Sequence, residues 1–170
     1  MFTYSSFPLV KKANKLEYRI GTIDFETYGS NIGMGCHQVY AGGWATKDNT
    51  QVFYKTARES SDQLVNIIFK SIFGNPSLNG YTLYAHNLGR FDSVFILKSL
   101  VLDDDIEITP IWKDNAILSI SIEYGDFKIT ILDSLQLISG SLNDILTSFD
   151  CETQKGIFLI VSLIKIIFIT

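Results

Sequence analysis

Two carboxylates, Asp24 and Glu26, stand one residue apart in the segment RIGTIDFETYGS, at the end of an apolar run that predicts a buried strand. Side chains alternate between the two faces of a strand, so both acids face one way while Ile23 and Phe25 face the other. Like charges placed in this way repel each other and lose hydration, which costs on the order of several kcal/mol unless something compensates. A divalent cation would turn the repulsion into coordination, because Mg²⁺ and Mn²⁺ prefer carboxylate oxygens. The same pair also fits two exposed acids at a strand end.

A third carboxylate, Asp92, lies in the segment YTLYAHNLGRFDSVFILKSL. Its pattern predicts a strand over Tyr81–Ala85, a loop, and a helix over Phe91–Leu102 whose first turn contains Asp92. An acid in this position is favoured by the helix dipole alone, and Asn87 fits an ordinary loop or cap. The carboxyl ends of the strands are also where an α/β sheet places its site, so Asp92 is a candidate partner for the acidic pair.

The rest of the chain predicts the scaffold that would hold these residues. Helical spacing predicts helices over Ser61–Phe73, capped by Ser60 or Ser61, and over Asn143–Phe149, capped by Ser141. Glycines between residues 29 and 35 predict a turn. Alternating or β-branched runs predict the other strands, namely Tyr18–Phe25, Val39–Thr46, Gln51–Tyr54, Ile106–Ile111, Ala116–Glu123 and Phe127–Leu132. A meander followed by alternating helices and strands predicts an α/β fold with a mixed sheet flanked by helices.

Length and composition favour one globular domain. The chain has 170 residues, of which 46% are hydrophobic and 19% charged, and its net charge of −4 argues against a strongly basic protein that wraps nucleic acid. Cys36 and Cys151 form no CxxC pattern, which favours a reducing compartment. The apolar C-terminal run is shorter than the roughly 20 residues of a membrane span, so no membrane partner is expected.

The motifs together resemble a known family. The tetrapeptide DFET, followed about 60 residues later by Asn-x₃-Phe-Asp on a strand–loop–helix unit, resembles the Exo I and Exo II motifs of family B DNA polymerases. The segment YAHNLGRFD, followed by ILDSLQLISGSLNDI, is similar to the corresponding segments of the protein-primed branch, which is found in phages and fungal mitochondrial linear plasmids. The resemblance covers roughly Ile20 to Phe158.

This resemblance implies a ribonuclease-H-like fold and a 3′→5′ proofreading exonuclease of the DEDD type. Asp24, Glu26 and Asp92 match three of the family's four catalytic carboxylates, which hold two divalent cations, Mg²⁺ or Mn²⁺, for hydrolysis of the terminal phosphodiester. Thr27, Asn87 and Phe91 match positions that hold the frayed 3′ end of the DNA.

Further DNA-binding positions follow from the same resemblance. His86 and Phe95 match neighbouring single-strand contacts, although a satisfied histidine and a core helix position explain them equally well. Ser134 and Leu135 begin the (S/T)-L-x-x-hydrophobic motif, which in protein-primed enzymes contacts single-stranded DNA and the terminal priming protein. That segment also fits an ordinary junction between a strand and a helix.

The chain departs from the family pattern after Leu137. No Tyr-x₃-Asp motif follows to bring the fourth carboxylate, and the polymerase palm, fingers and thumb motifs are absent. We expect a lead segment over 1–17, an exonuclease-like domain over 18–158 and an apolar tail over 159–170. A one-base deletion after the Phe158 codon would explain the tail, and sequencing the locus would test this. A genuine apolar element or a read-through exon boundary would explain it as well.

The sequence therefore predicts a fragment of a protein-primed type B DNA polymerase, monomeric, that carries the exonuclease region. The alternative is an inactive remnant that at most binds single-stranded DNA, because losing the fourth carboxylate would cost orders of magnitude in rate. A free-standing exonuclease acting on RNA or DNA is a third reading, and the missing last motif counts against it. The family implies a mitochondrial location.

Overall fold

The computed structural model describes residues 19–29, 37–101 and 103–148. The predicted lead segment 1–17, the apolar tail 159–170, both cysteines and most of the predicted glycine turn lie outside the described residues.

Seven strands form one mixed sheet, which confirms the predicted architecture. Their spatial order is β3-β2-β1-β4-β7-β6-β5. The central strands β1, β4 and β7 run parallel to one another, whereas all the other neighbours are antiparallel. The strands are β1 (Ile20–Gly29), β2 (His37–Thr46), β3 (Thr50–Tyr54), β4 (Thr82–Ala85), β5 (Ile106–Lys113), β6 (Ala116–Tyr124) and β7 (Phe127–Asp133).

Three helices accompany the sheet: α1 (Ser61–Phe73), α2 (Asp92–Leu100) and α3 (Leu142–Ser148). Helix α1 begins at the predicted cap, where the Ser60 hydroxyl accepts from the Gln63 N–H and the Gln63 side chain accepts from the Ser60 N–H. Its buried face packs on the sheet, and the Trp44 indole N–H of β2 donates to the Ser71 hydroxyl at 2.8 Å. The Ser141 hydroxyl likewise accepts from the Asp144 N–H, which confirms the cap of α3.

Strand β1 is longer than the sequence predicts, and this changes the setting of the acidic pair. The apolar run predicts an end at Phe25, but the strand continues to Gly29, with a bulge between Glu26 and Thr27. The extension forms because β2 continues alongside it, so that Tyr28 pairs with Gln38 and Gly29 with His37. Asp24 and Glu26 therefore lie within a paired strand.

The other boundaries agree with the prediction or differ by one or two residues. Helix α2 spans Asp92–Leu100, so Phe91 is its N-cap residue, and β5 continues to Lys113. Within the described ranges, none of the helices combines the length and the apolar character needed to cross a bilayer.

Candidate functional site

The acidic pair lies at the edge of the sheet where the neighbouring strand ends. In the parallel ladder between β1 and β4, Thr22 pairs with Tyr84, and β4 ends at Ala85. Asp24 and Glu26 therefore lie beyond the last β4 pair, at the level where the chain leaves the sheet. It turns there through a short 3₁₀ segment, Leu88–Arg90, and enters α2 at Asp92. The fold brings the three predicted carboxylates to one edge.

Asp92 is the most deeply buried of the three. Its side chain is 2% exposed, and its Oδ1 has no hydrogen-bond partner within the described part of the chain. Burial raises the pKa of this carboxyl well above its usual value, and the charges of Asp24, Asp133 and Glu26 raise it further. Among the described residues, no cationic side chain forms an ion pair with Asp92.

The pKa of Asp24, which is half-buried, is raised as well. Burial, followed by repulsion from Glu26, raises the pKa of Asp24 to about 7, although a hydrogen bond from the Phe25 backbone lowers it. These mutual effects show that the carboxylates are close enough to sense one another's charge. In the described ranges, no three His, Cys, Asp or Glu side chains are already arranged as ligands of a single ion.

Asp133, the last residue of β7, is a fourth carboxylate in this region. It is 5% exposed, and both its oxygens accept hydrogen bonds from the backbone. Oδ1 accepts from the N–H groups of Asn87 and Leu135, both at 3.0 Å, and Oδ2 accepts from the Gly89 N–H at 3.2 Å. Asp133 thus ties the loop after β4 to the turn after β7.

The loop held by Asp133 has an unusual backbone. Asn87 adopts a left-handed conformation with φ of 66°, which asparagine tolerates better than most residues. Gly89 allows a close approach to β6, because a Cβ atom there would lie 2.5 Å from the Ile117 carbonyl oxygen. The loop is therefore fixed on two sides, and the half-buried Asn87 side chain is positioned by a rigid turn.

His86 and Ser134 contact each other across the same junction. The His86 Nδ1 lies 3.1 Å from the Ser134 hydroxyl, and its Nε2 lies 3.0 Å from the Gly140 carbonyl oxygen, to which it must donate. Both ring nitrogens therefore have protein partners, and the Ser134 hydroxyl is buried. Leu135 is half-buried beside them. These residues brace the two predicted DNA-binding segments against each other.

Thr27, Phe91 and Phe95 belong to a second group of contacts. The rings of Phe91 and Phe95 meet edge to face at 5.5 Å, with Phe95 only 9% exposed and Phe91 half-buried. His37 joins this group, because its ring meets Phe91 edge to face at 5.5 Å and its Nδ1 lies 3.5 Å from the Thr27 hydroxyl.

Sequence reasoning missed Asp133 and His37. Asp133 immediately precedes the Ser134–Leu135 motif, and an aspartate at a strand end before a turn is a common backbone cap, so its position was a usable signal. His37 carries no comparable signal, since only strand pairing brings it opposite Gly29 and beside Thr27.

Comparison with known proteins identifies the family. Residues 75–166 match the family described as DNA polymerase type B, organellar and viral. A probable DNA polymerase of Agaricus bitorquis is 40% identical over 158 residues, covering 85% of this chain and 20% of the relative. The DNA polymerase of Streptococcus phage Cp-1 is 35% identical over 77 residues, covering 45% and 13%. The chain thus spans a fifth or less of these relatives.

The fold has solved counterparts. The structure of Phi29 DNA polymerase complexed with single-stranded DNA superposes with a TM-score of 0.59 at 19% identity, covering 81% of this chain and 24% of that one. A ternary complex of Phi29 DNA polymerase with primer-template DNA and incoming nucleotides gives a TM-score of 0.57 at 20% identity. The predicted ribonuclease-H-like fold is confirmed. The family match covers more than half of the residues of this chain. The chain therefore belongs to the type B DNA polymerases of organelles and viruses.

Proposed function

We propose that this chain is the 3′→5′ proofreading exonuclease region of a protein-primed type B DNA polymerase that takes part in DNA replication. The observation that carries the proposal is the convergence of Asp24, Glu26 and Asp92 at one sheet edge, where one buried carboxylate oxygen has no partner among the described residues. In a chain of a DNA polymerase family, an uncompensated acidic cluster of this kind suits phosphodiester hydrolysis.

The donor types at this edge fit a divalent cation, Mg²⁺ or Mn²⁺, although the described side chains are not arranged as ligands of one ion. All the available donors are hard carboxylate oxygens, and the pKa values of Asp24 and Asp92 are raised by burial and then by mutual repulsion, both of which a cation would offset. Asp24, Glu26 and Asp92 would hold the metal. When bound, it would supply Lewis-acid activation of the phosphodiester and of water. Asp133 is less available as a ligand, since three backbone N–H groups occupy its oxygens.

The surrounding residues would position the 3′ end of a single DNA strand. Phe91 precedes Asp92 directly and offers an aromatic ring on which a base can stack. Thr27 and Asn87 offer hydrogen-bonding groups for sugar or phosphate, with the Asn87 backbone held by Asp133. Their role is to hold the terminal phosphodiester beside the carboxylates, where orientation contributes a large part of the rate.

The test is metal-dependent shortening of a labelled single-stranded oligonucleotide by the purified full chain. With Mn²⁺ we expect slow shortening from the 3′ end, lost on Asp24→Ala and on Asp92→Asn. Asp126→Asn is a matched control, because Asp126 is exposed in the β6–β7 turn at the start of β7, away from Asp133. Shortening that persists in Asp24→Ala would contradict the proposal.

A second candidate is a catalytically inactive remnant that binds single-stranded DNA. It is favoured by the hydrogen bonds of Asp133, which leave only three readily available carboxylates at this edge of the described structure. Oligonucleotide binding without any shortening, in Mg²⁺ and in Mn²⁺, would select this candidate over the first.

We also propose a mitochondrial location and a terminal priming protein as partner. The organellar members of the matched family support the first proposal. The Ser134–Leu135 motif supports the second. Fractionation of the source cells and co-purification with a DNA-linked protein would test these two points.

A further inference from the structure

A cavity of about 270 Å³ opens at the edge of the sheet opposite the carboxylates. It lies between the C-terminal turns of α1 and α2, the start of β5 and the end of β6, and its walls are the apolar or aromatic side chains of Phe69, Phe73, Leu100, Ile106 and Tyr124. The Phe73 and Tyr124 rings stack at 5.3 Å, and Tyr124 remains 44% exposed. The volume is below the roughly 300–1,000 Å³ of most small-molecule sites, which favours the insertion of side chains from a peptide segment.

The rim of this cavity on the α2 side is acidic. Asp103 lines the cavity, and Asp104, Asp105 and Glu107 follow it closely in the chain, all of them exposed. None of these four carboxylates forms an ion pair with a residue that the structure describes, and Lys70 lies on the α1 side. Both helices end here, and the partial negative charge of a helix C-terminus favours cations. A segment that combines apolar and basic side chains therefore complements the cavity and its rim.

The chain contains a segment of this composition. Residues 7–12 read FPLVKK, in which one aromatic and two aliphatic side chains are followed directly by Lys11 and Lys12. The segment belongs to the predicted lead segment, outside the described residues, and neither the fold nor the carboxylate site accounts for it. Its apolar residues match the walls of the cavity, and its two lysines match the charge of the rim.

The first residue that the structure describes lies at the same edge of the sheet. The Arg19 guanidinium donates to the Asn79 carbonyl oxygen at 3.0 Å, and the Asn79 side chain donates to the Asp126 carbonyl oxygen, in the turn beside Tyr124. Strands β4 and β7 separate β1 from β6, a distance of about 14 Å at roughly 4.8 Å per strand. The extended chain from Leu9 to Arg19 can span about 33 Å, so the segment can reach the cavity.

We propose that this cavity binds residues 7–12 of the same chain, with their apolar side chains against Phe73 and Tyr124 and their two lysines on the acidic rim. Apolar side chains inserted in a pocket, with paired charges around it, are the usual arrangement of a specific protein contact. The contact lies at the edge of the sheet opposite the carboxylates and leaves them open to DNA. It is independent of the proposed function.

The first test is zero-length carbodiimide crosslinking of the full chain, with mass spectrometry of the digested monomer. We expect amide bonds that join Lys11 or Lys12 to the acidic rim, at Asp103, Asp104 or Asp105. Crosslinks between these groups that occur only in dimers would assign the cavity to a second copy of the chain and overturn the proposal. Absence of any crosslink between the two lysines and the rim would overturn it as well.

The second test is the rate at which trypsin cleaves the full chain after Lys12. Tyr124→Ala should increase this rate about tenfold, since it removes an aromatic wall that holds the segment. Tyr124→Phe, which keeps the ring, should leave the rate unchanged. Asp104→Lys, at an exposed position of the rim, should increase the rate several-fold, because it repels the two lysines. Rates in Tyr124→Ala and Asp104→Lys equal to that of the unsubstituted chain would contradict the proposal.

Two matched controls separate local contact from general effects. Tyr54→Ala removes another exposed tyrosine at the end of a strand, in β3 on the far side of the sheet. Asp48→Lys makes the same charge change as Asp104→Lys in the turn between β2 and β3, on the other side of β1. Both should leave the cleavage rate unchanged. Increases in the controls as large as those in Tyr124→Ala and Asp104→Lys would reduce the effect to stability or net charge and overturn the proposal.

Discussion

Asp92 and Asp133 are both almost fully buried aspartates at the same edge of the sheet, yet their surroundings are opposite. Asp133 accepts three backbone hydrogen bonds, and each of its oxygens has at least one donor. Asp92 has an oxygen without a partner in the described structure and faces the charges of three other carboxylates. Asp133 therefore stabilises the fold. Asp92 destabilises it, as is common for groups that serve a function.

The difference between the two shows how burial should be interpreted for an acidic residue. Burial removes a carboxylate from water, which raises the free energy of its ionised form. Hydrogen bonds from the protein can offset this cost. At Asp133 the donors come from two loops that the residue itself organises. At Asp92 the described residues leave Oδ1 without a partner, and a bound cation is the simplest source of compensation.

The largest effect that would test this comparison is expected from Asp133→Ala. The substitution leaves three backbone N–H groups without their acceptor, so we expect a loss of about 3 kcal/mol or more in the free energy of unfolding. Urea denaturation of the full chain measures this loss. Asp126→Ala, at an exposed turn position, should change stability by no more than about 0.5 kcal/mol. A stable Asp133→Ala protein would show that the loop does not depend on this carboxylate.

The pH dependence of stability gives the next largest effect. The pKa of Asp24 rises on folding from 3.8 to about 7, so the folded chain binds more protons than the unfolded chain between these values. The contribution of Asp24 to stability without metal is therefore fully present below about pH 4 and is lost progressively as the pH rises to about 7. After allowance for solvent screening, we expect a decrease of about 2 kcal/mol between pH 5 and pH 8.

The melting temperature in EDTA, measured in buffers of matched ionic strength, reports this decrease. Mn²⁺ should oppose it at pH 8, because a cation binds the ionised carboxylates of the folded chain. A stability in EDTA that increases between pH 5 and pH 8 would contradict the assignment of Asp24 as an uncompensated acid.

The smallest effect, and the one that reverses sign, is expected from Asp92→Asn. Replacing the buried carboxylate with a neutral amide removes first the cost of burying a charge and then the repulsion from Asp24, Asp133 and Glu26, so stability at pH 8 in EDTA should rise by about 1 kcal/mol. The stabilisation by Mn²⁺ should be lost in the same variant. Asp133→Asn should instead destabilise the chain, because an amide has only one acceptor oxygen for three donors. Stability changes of the same sign in both variants would remove the distinction.

Local sequence patterns predicted most of the elements correctly. The predicted bounds of α1 agree with the structure, because its apolar spacing and its Ser60 cap are both properties of one short segment. The hairpin between β6 and β7 was equally predictable from the sequence, since Gly125 supplies the positive φ that the turn needs. The end of β1 could not be predicted from the sequence. Pairing with β2 extends the strand to Gly29, and the sequence of β1 does not indicate this pairing.

The sequence by itself determined the family, the candidate carboxylates Asp24, Glu26 and Asp92, and the order of elements that contain them. Only the tertiary structure decided which acids lack compensation, since the hydrogen bonds of Asp133 reach residues 44 and 46 positions away. It also decided the place of His37, which a strand pairing brings beside Thr27. The physical reason is range: capping and periodicity act within a few residues, whereas burial, charge repulsion and the satisfaction of a buried carboxylate depend on segments far apart in the chain.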